Sequence, residues 1–148
     1  MMVQLLTAFT GSLGFCLIFR LRRKYLLPAS LGGVLTCGVY LAAAGTLDGI
    51  LLPTLIASAF AALYAELLAW LLRAPTTLFL TTALVIPLIP GRTLYYATYY
   101  AVRQEMAQAQ SYAAQTAQYA LGIALGASLV WAFANMRRSL SHRSHFFP

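Results

Sequence analysis

The sequence predicts an all-α integral membrane protein with about five transmembrane helices, the fourth broken at a Pro/Gly element, and a short interfacial helix. Of the 148 residues, 61% are hydrophobic and only 9% are charged, whereas roughly a quarter of the residues in a soluble domain are charged. The apolar residues form runs close in length to the ~20 residues that cross a hydrocarbon core, and basic clusters lie at the ends of these runs. The lipid bilayer is therefore the expected solvent.

A single transmembrane domain over residues 1–136 is expected to precede a basic cytoplasmic tail over residues 137–148. The first run has no basic region in front of it, so we expect a membrane anchor rather than a signal peptide. The fourth run is short, which fits a bent span or a re-entrant element, and the charge pattern favours a broken span. The predicted spans are residues 2–19, 26–44, 50–72, 76–90 and 111–135.

The basic residues predict the orientation of the chain. With five spans and the N-terminus outside, only Arg92 and Arg103 fall on the outer side, and the other basic residues fall inside, as the positive-inside rule requires. Because orientation already accounts for the net charge of +7, no nucleic-acid partner is expected. The predicted inner residues are Arg20, Arg22, Arg23, Lys24, Arg73, Arg137, Arg138 and Arg143.

The fourth predicted span is interrupted by Pro87 and by Pro90 with Gly91. Each proline removes a backbone donor and clashes with the carbonyl four residues back. In lipid, a freed carbonyl is tolerated only where protein or a water-filled cavity supplies a partner. Since broken membrane helices mark binding sites in carriers, we interpret this element as an outward-side gate or half-site on a substrate pathway, completed by a partner.

Polar side chains within the predicted spans are further candidates for a substrate pathway. Glu66 either faces such a pathway or lies near the inner boundary, where it pairs with a base. The hydroxyls of Thr77 and Thr81 either bind a solute or satisfy upstream carbonyls of their own helix. Gln115 and Gln118 belong to a polar stripe that either lines a cavity or bonds another helix.

Small residues recur at helical spacing in two of the predicted spans. Packing drives helix association in lipid, and small residues let two backbones approach closely. These faces are therefore predicted to be helix contacts, and they would also permit self-association. The predicted packing residues are Ala57, Ala61, Ala65, Gly122 and Gly126.

Four tyrosines follow the Pro/Gly element as two pairs, Tyr95 with Tyr99 and Tyr96 with Tyr100. Residues four apart lie side by side on a helix, and tyrosine prefers the membrane–water boundary. An interfacial helix is therefore predicted here, followed by a turn back towards the bilayer at residues 103–105. The sequence contains no recognisable catalytic set, metal-ligand cluster or cofactor motif, so neither an enzyme nor a cofactor is expected.

Three segments together resemble the small subunit of the split threonine/serine exporters. They are R-R-K-Y-L-L-P-A-S-L-G-G (residues 22–33), A-E-L-L-A-W-L-L-R-A-P-T-T-L-F (residues 65–79) and V-I-P-L-I-P-G-R-T-L-Y (residues 85–95). The resemblance covers residues 15 to 131, and I-P-x-x-P-G is its most specific part. It extends to Pro87, Pro90, Gly91 and Glu66, whereas Arg92 and Thr93 depart from the family's pattern.

The resemblance implies a subunit of a carrier in the bacterial cytoplasmic membrane, working with a larger membrane subunit of the same family. The solutes it implies are amino acids such as threonine and serine, or a dicarboxylate such as succinate, with export driven by the proton gradient. Two other functions are compatible with the residues. One is a membrane scaffold or assembly subunit that does not touch substrate, and the other is a small channel-forming homo-oligomer.

Overall fold

The computed structural model describes residues 2–77, 79–80 and 88–143, and these residues form five helices without a strand. An all-α membrane fold is thereby confirmed. Three described helices are long and apolar enough to cross a membrane, with mean hydropathies of 1.6, 1.9 and 1.5 for Arg23–Thr46, Leu51–Leu72 and Met106–Met136. The helices are α1 (Met2–Ile18), α2 (Arg23–Thr46), α3 (Leu51–Leu72), α4 (Gly91–Val102) and α5 (Met106–Arg143).

Helix α3 lies at the centre of the packing, between α2 and α5. Helix α1 packs against α2, and α4 packs against the first part of α5, so each described helix contacts a neighbour in the chain or in the bundle. The row of small residues on α3 faces inward: Ala57, Ala61 and Ala65 are fully buried. Their methyl groups let neighbouring side chains and backbones approach α3 closely.

The α3–α5 contact is closest at the glycine pair of α5. A β-carbon on Gly122 would lie 2.9 Å from Cβ of Thr54, and one on Gly126 would overlap the Ser58 hydroxyl. The Ser58 hydroxyl is buried and lies 3.0 Å from the carbonyl oxygen of Gly122. The absence of a side chain at both glycines therefore sets the distance between these two helices.

Two buried clusters lie along α3. One joins Ala57 and Ala61 to Leu88, and the other joins Ala65 and Ala69 to residues of α1, α2 and the segment after α3. Large apolar side chains face outward, with Trp70 75% exposed and Phe133 67% exposed. Outward apolar side chains of this size suit a lipid environment, where burial against water is not required.

The helix boundaries differ from the predicted spans at two places. Helix α2 begins at Arg23 rather than at residue 26, so Pro28 lies inside it, and the Pro28 carbonyl accepts a hydrogen bond from the Tyr64 hydroxyl at 2.7 Å. Helix α5 begins at Met106 and continues to Arg143, into the predicted tail. Its first turns contain Ala, Gln and Met, which favour helix but are less apolar than the residues of the predicted span that follows. Residues 81–87 of the fourth predicted span lie outside the described residues, as do residues 144–148.

Candidate functional site

A cavity of about 410 Å³ lies at the start of α4, between α2 and α5. Its volume is within the range of small-molecule sites, which is roughly 300–1,000 Å³. Polar and aromatic side chains from three helices converge on it together with the segment that precedes α4. We call it the α4 pocket, and its lining residues are Tyr40, Leu88, Ile89, Pro90, Arg92, Thr93, Tyr112, Gln115 and Tyr119.

The start of α4 is fixed by a local hydrogen-bond network. Pro90 precedes the helix, and the Gly91 N–H donates to the carbonyl oxygen of Ile89 at 2.8 Å. The Thr93 hydroxyl donates to the carbonyl oxygen of Pro90 at 3.0 Å and accepts a hydrogen bond from the Thr116 hydroxyl of α5 at 2.9 Å. This chain of hydroxyls ties the first turn of α4 to α5 and so holds one wall of the pocket in place.

Arg92 supplies the positive charge of the α4 pocket. Its guanidinium carbon lies 5.9 Å from the ring centroid of Tyr96, and the side chain is exposed. The N-terminus of a helix carries a partial positive charge, which adds to that of the guanidinium. Guanidinium groups bind carboxylates through two parallel N–H donors. This wall can therefore attract and orient an anionic group.

Two tyrosines from different helices also line the pocket. The hydroxyls of Tyr40 in α2 and Tyr119 in α5 lie 2.9 Å apart, and their ring centroids are 6.3 Å apart. Gln115 lies one helical turn before Tyr119 and is half-buried, so its amide reaches the same cavity. These residues add hydroxyl and amide donors and acceptors to the cation of the same pocket.

Stacked tyrosines hold α4 against α5 beside the pocket. The Tyr112 ring of α5 lies 5.3 Å from that of Tyr96 and 5.6 Å from that of Tyr100, the latter pair being inclined by only 9°. The pairs Tyr95–Tyr99 and Tyr96–Tyr100 stack along α4 at 6.2 Å. The pKa of Tyr100 is raised, first by desolvation and then by electrostatic repulsion from Tyr112, Glu105, Tyr99 and Tyr96.

The turn after α4 lies where the sequence predicted it. Glu105 N–H donates to the carbonyl oxygen of Tyr100 at 3.0 Å, Gln104 adopts a left-handed φ of 60°, and α5 begins at Met106. The Arg103 side chain turns back onto α4 and donates to the Tyr99 hydroxyl at 2.7 Å. Arg103 follows the last residue of α4, at the end away from Arg92, and does not line the α4 pocket.

The structure brings together some of the predicted pathway residues. Pro90 and Gln115 both line the α4 pocket, and Gly91, which is exposed, begins α4 beside them. Gln118 is exposed on α5 and is not part of the lining. Thr81 and Pro87 lie outside the described residues.

Glu66 lies elsewhere, in a groove of about 1180 Å³ between the later parts of α3 and α5. The groove contains Thr76 as well as Glu66, but its other walls are largely apolar, with Trp70 and Phe133 among them. Thr77 is exposed near this groove. Pro90 and Gln115 therefore line the α4 pocket while Glu66 lies in the groove, and of these two sites the α4 pocket combines a cation with several hydrogen-bonding groups. Among the described residues, no group of three His, Cys, Asp or Glu side chains could hold a metal ion.

Five polar residues of the pocket were not candidate site residues from the sequence: Tyr40, Arg92, Thr93, Tyr112 and Tyr119. Tyr40 and Tyr119 are 79 residues apart, so their pairing depends on how α2 and α5 each pack against α3. One signal was present, because both are tyrosines within predicted spans, where a hydroxyl must find a partner. The sequence predicts Arg92 only as an outer basic residue, and both Arg92 and Thr93 depart from the family's pattern.

The described fold defines a multi-pass, all-α membrane protein. The protein family described as "Threonine/Serine exporter, ThrE" matches residues 4–133. The chain therefore belongs to the threonine/serine exporter family, a family of membrane transporters rather than enzymes. No curated protein and no solved structure matches the chain.

Proposed function

We propose that this chain is one subunit of a small-solute exporter and that its α4 pocket is half of the substrate site. The observation that carries the proposal is that Arg92, the start of α4 and several hydroxyl and amide groups line one cavity of about 410 Å³. Threonine, serine or a dicarboxylate such as succinate all carry a carboxylate that Arg92 would bind. The family assignment supports export, rather than uptake, as the direction of transport.

The chemistry of the pocket suits a small zwitterion or anion. The Arg92 guanidinium and the positive end of α4 neutralise a carboxylate as it leaves water. The amide oxygen of Gln115 is an acceptor for an ammonium group, and the amide nitrogen is a donor. Since these groups are already placed by α4 and α5, a solute would lose its water in exchange for preformed partners.

A larger subunit of the same family completes the site in this proposal. Carriers commonly place their binding site between two repeats of opposite orientation. A chain with five spans, its N-terminus outside and its C-terminus in the cytoplasm would complement a partner half that runs the other way. The multi-pass fold supports such an arrangement in the bacterial inner membrane.

Glu66 is the candidate residue for coupling export to the proton gradient. The carboxylate lies in the groove between α3 and α5, away from the lining of the α4 pocket. In one alternative its protonation alters the α3–α5 packing during transport. In the other it is a structural group near the inner boundary, and Glu66→Gln leaves the pH dependence of export unchanged.

Export by Arg92→Gln tests the proposal. Cells that contain the whole exporter are loaded with labelled threonine, and efflux is measured for the wild type, Arg92→Gln and Arg103→Gln. Loss of a charge-assisted pair costs about 1.5–3 kcal/mol, so efflux by Arg92→Gln at low solute concentration should fall roughly 10- to 100-fold.

Arg103→Gln is the matched control, because it removes the same charge from the other end of α4 without touching the pocket. Export by this variant should stay close to that of the wild type. Wild-type efflux from Arg92→Gln, at equal amounts of inserted protein, would instead favour a scaffold subunit that makes no contact with substrate.

A further inference from the structure

The two tyrosine hydroxyls of the α4 pocket come from different helices and meet each other. Tyr40 Oη and Tyr119 Oη lie 2.9 Å apart, and both side chains are half-buried in the cavity wall. Among the described residues, neither hydroxyl has another hydrogen-bond partner. Both tyrosines line the cavity, so the pair is accessible to a bound solute.

A pair of hydroxyls has hydrogen-bonding capacity to spare. When one hydroxyl donates to the other, the O–H of the accepting tyrosine is left to donate to a third group, and both oxygens keep lone pairs. Such a pair can donate to and accept from a single alcohol at the same time. A methyl group in the same place would leave this spare donor and these lone pairs unsatisfied, although the two hydroxyls would still bond each other.

The charges of the pocket favour a solute with a single carboxylate. Of the described lining residues, Arg92 is the sole cation, and the other polar side chains, those of Gln115, Thr93 and the tyrosines, bear amide and hydroxyl groups. One carboxylate is thus matched by one guanidinium. A second carboxylate would have to leave water for phenols and an amide, which do not neutralise its charge.

We infer that the Tyr40–Tyr119 pair determines substrate specificity by hydrogen-bonding the side-chain hydroxyl of a hydroxy amino acid whose carboxylate is bound by Arg92. Dicarboxylates and amino acids with apolar side chains are selected against. This inference rests on the proposed function of the α4 pocket as a substrate half-site. It goes further by assigning the discrimination to two residues and by choosing between the two classes of solute.

The test compares substrates that differ only in the hydroxyl. The complete exporter in proteoliposomes is loaded with threonine or valine, with serine or alanine, or with succinate, and initial efflux is measured. The wild type should export threonine faster than valine and serine faster than alanine, with little export of succinate. In Tyr40→Phe and Tyr119→Phe the threonine-to-valine ratio should fall about tenfold, because one hydrogen bond to the substrate is lost.

Tyr64→Phe is the matched control. Its hydroxyl also bonds across two helices, to the Pro28 carbonyl at 2.7 Å, but it does not line the pocket. The threonine-to-valine ratio of this variant should equal that of the wild type. A ratio of two rates is independent of how much protein is inserted, so a variant that folds poorly still reports on specificity.

The outcomes separate this inference from the proposed function. If both phenylalanine variants keep the wild-type ratio while Arg92→Gln lowers the export of every substrate, the pocket binds solute but the tyrosines do not select it. If Arg92→Gln also leaves export unchanged, the pocket is not a substrate site and both proposals are overturned. Wild-type export of succinate at the rate of threonine would overturn the selection against dicarboxylates.

Discussion

The hydroxyl oxygen of Ser58 in α3 lies 3.0 Å from the carbonyl oxygen of Gly122 in α5. Ser58 is fully buried, and its hydroxyl lies at the same distance from the Leu55 carbonyl of its own helix. One turn further along α5, Gly126 faces the same hydroxyl, and a β-carbon there would overlap it. Helices α3 and α5 therefore touch through backbone and small side chains, which is the kind of contact that holds helices together in lipid.

Gly126→Ala should destabilise the protein. Its methyl group would overlap Ser58 and approach the Leu55 carbonyl oxygen to 2.5 Å, so the two helices must separate. Overpacking of this kind typically costs about 1–3 kcal/mol, which thermal unfolding of the purified protein in detergent would report as a lower midpoint. Gly38→Ala is the control, because a β-carbon there meets no neighbour within 4 Å. Equal midpoints for the two variants would contradict this account of the α3–α5 contact.

Tyr112→Ala should loosen α4 from α5. The variant removes two stacked contacts, with Tyr96 at 5.3 Å and Tyr100 at 5.6 Å, each worth about 0.5–1.5 kcal/mol. The amides of α4 should then exchange with deuterium roughly tenfold faster or more, as measured by mass spectrometry on the purified protein.

Tyr112→Phe separates the ring from its hydroxyl. The stacking surface is retained, so α4 should exchange at the wild-type rate. Exchange that is as fast in Tyr112→Phe as in Tyr112→Ala would show that the hydroxyl, and not the stack, holds α4 in place.

The basic clusters predict an outside N-terminus and a cytoplasmic C-terminus. Reporter domains that are active on only one side of the membrane, fused before residue 2 and after residue 148, should give opposite results. A third fusion in the turn between α4 and α5, at Gln104, should report the outer side. A cytoplasmic signal from the N-terminal fusion would overturn the five-span topology, because the basic residues would then lie mostly outside.

The long helices could be predicted from the sequence because hydrophobic length is a local property. Helices α2 and α3 lie within three residues of the predicted runs at either end. The start of α5 was missed, since residues 106–110 form helix without being apolar. The pairing of the α4 tyrosines could also be predicted, because it depends on spacing within one helix. The structure stacks them as the i,i+4 spacing predicts.

The α4 pocket could be predicted only in part. Pro90 was predicted because a proline in an apolar run is visible in the sequence, and Gln115 because it belongs to a polar stripe at helical spacing. The Tyr40–Tyr119 pair could not be predicted, because it depends on how α2 and α5 each pack against α3. Spacing along one helix also failed to separate Gln115 from Gln118, since both lie on the same side of α5 by periodicity but only Gln115 reaches the cavity.

The most direct test of the substrate half-site is whether solute protects position 115 from a thiol reagent. Gln115→Cys and Gln118→Cys are each made in a chain that carries Cys16→Ala and Cys37→Ala, so that each variant has one thiol. Membranes containing the whole exporter are treated with a small maleimide, with and without threonine. We predict that threonine slows labelling at position 115 severalfold and leaves labelling at position 118 unchanged. Equal labelling of position 115 with and without threonine, in variants that still export, would contradict the account.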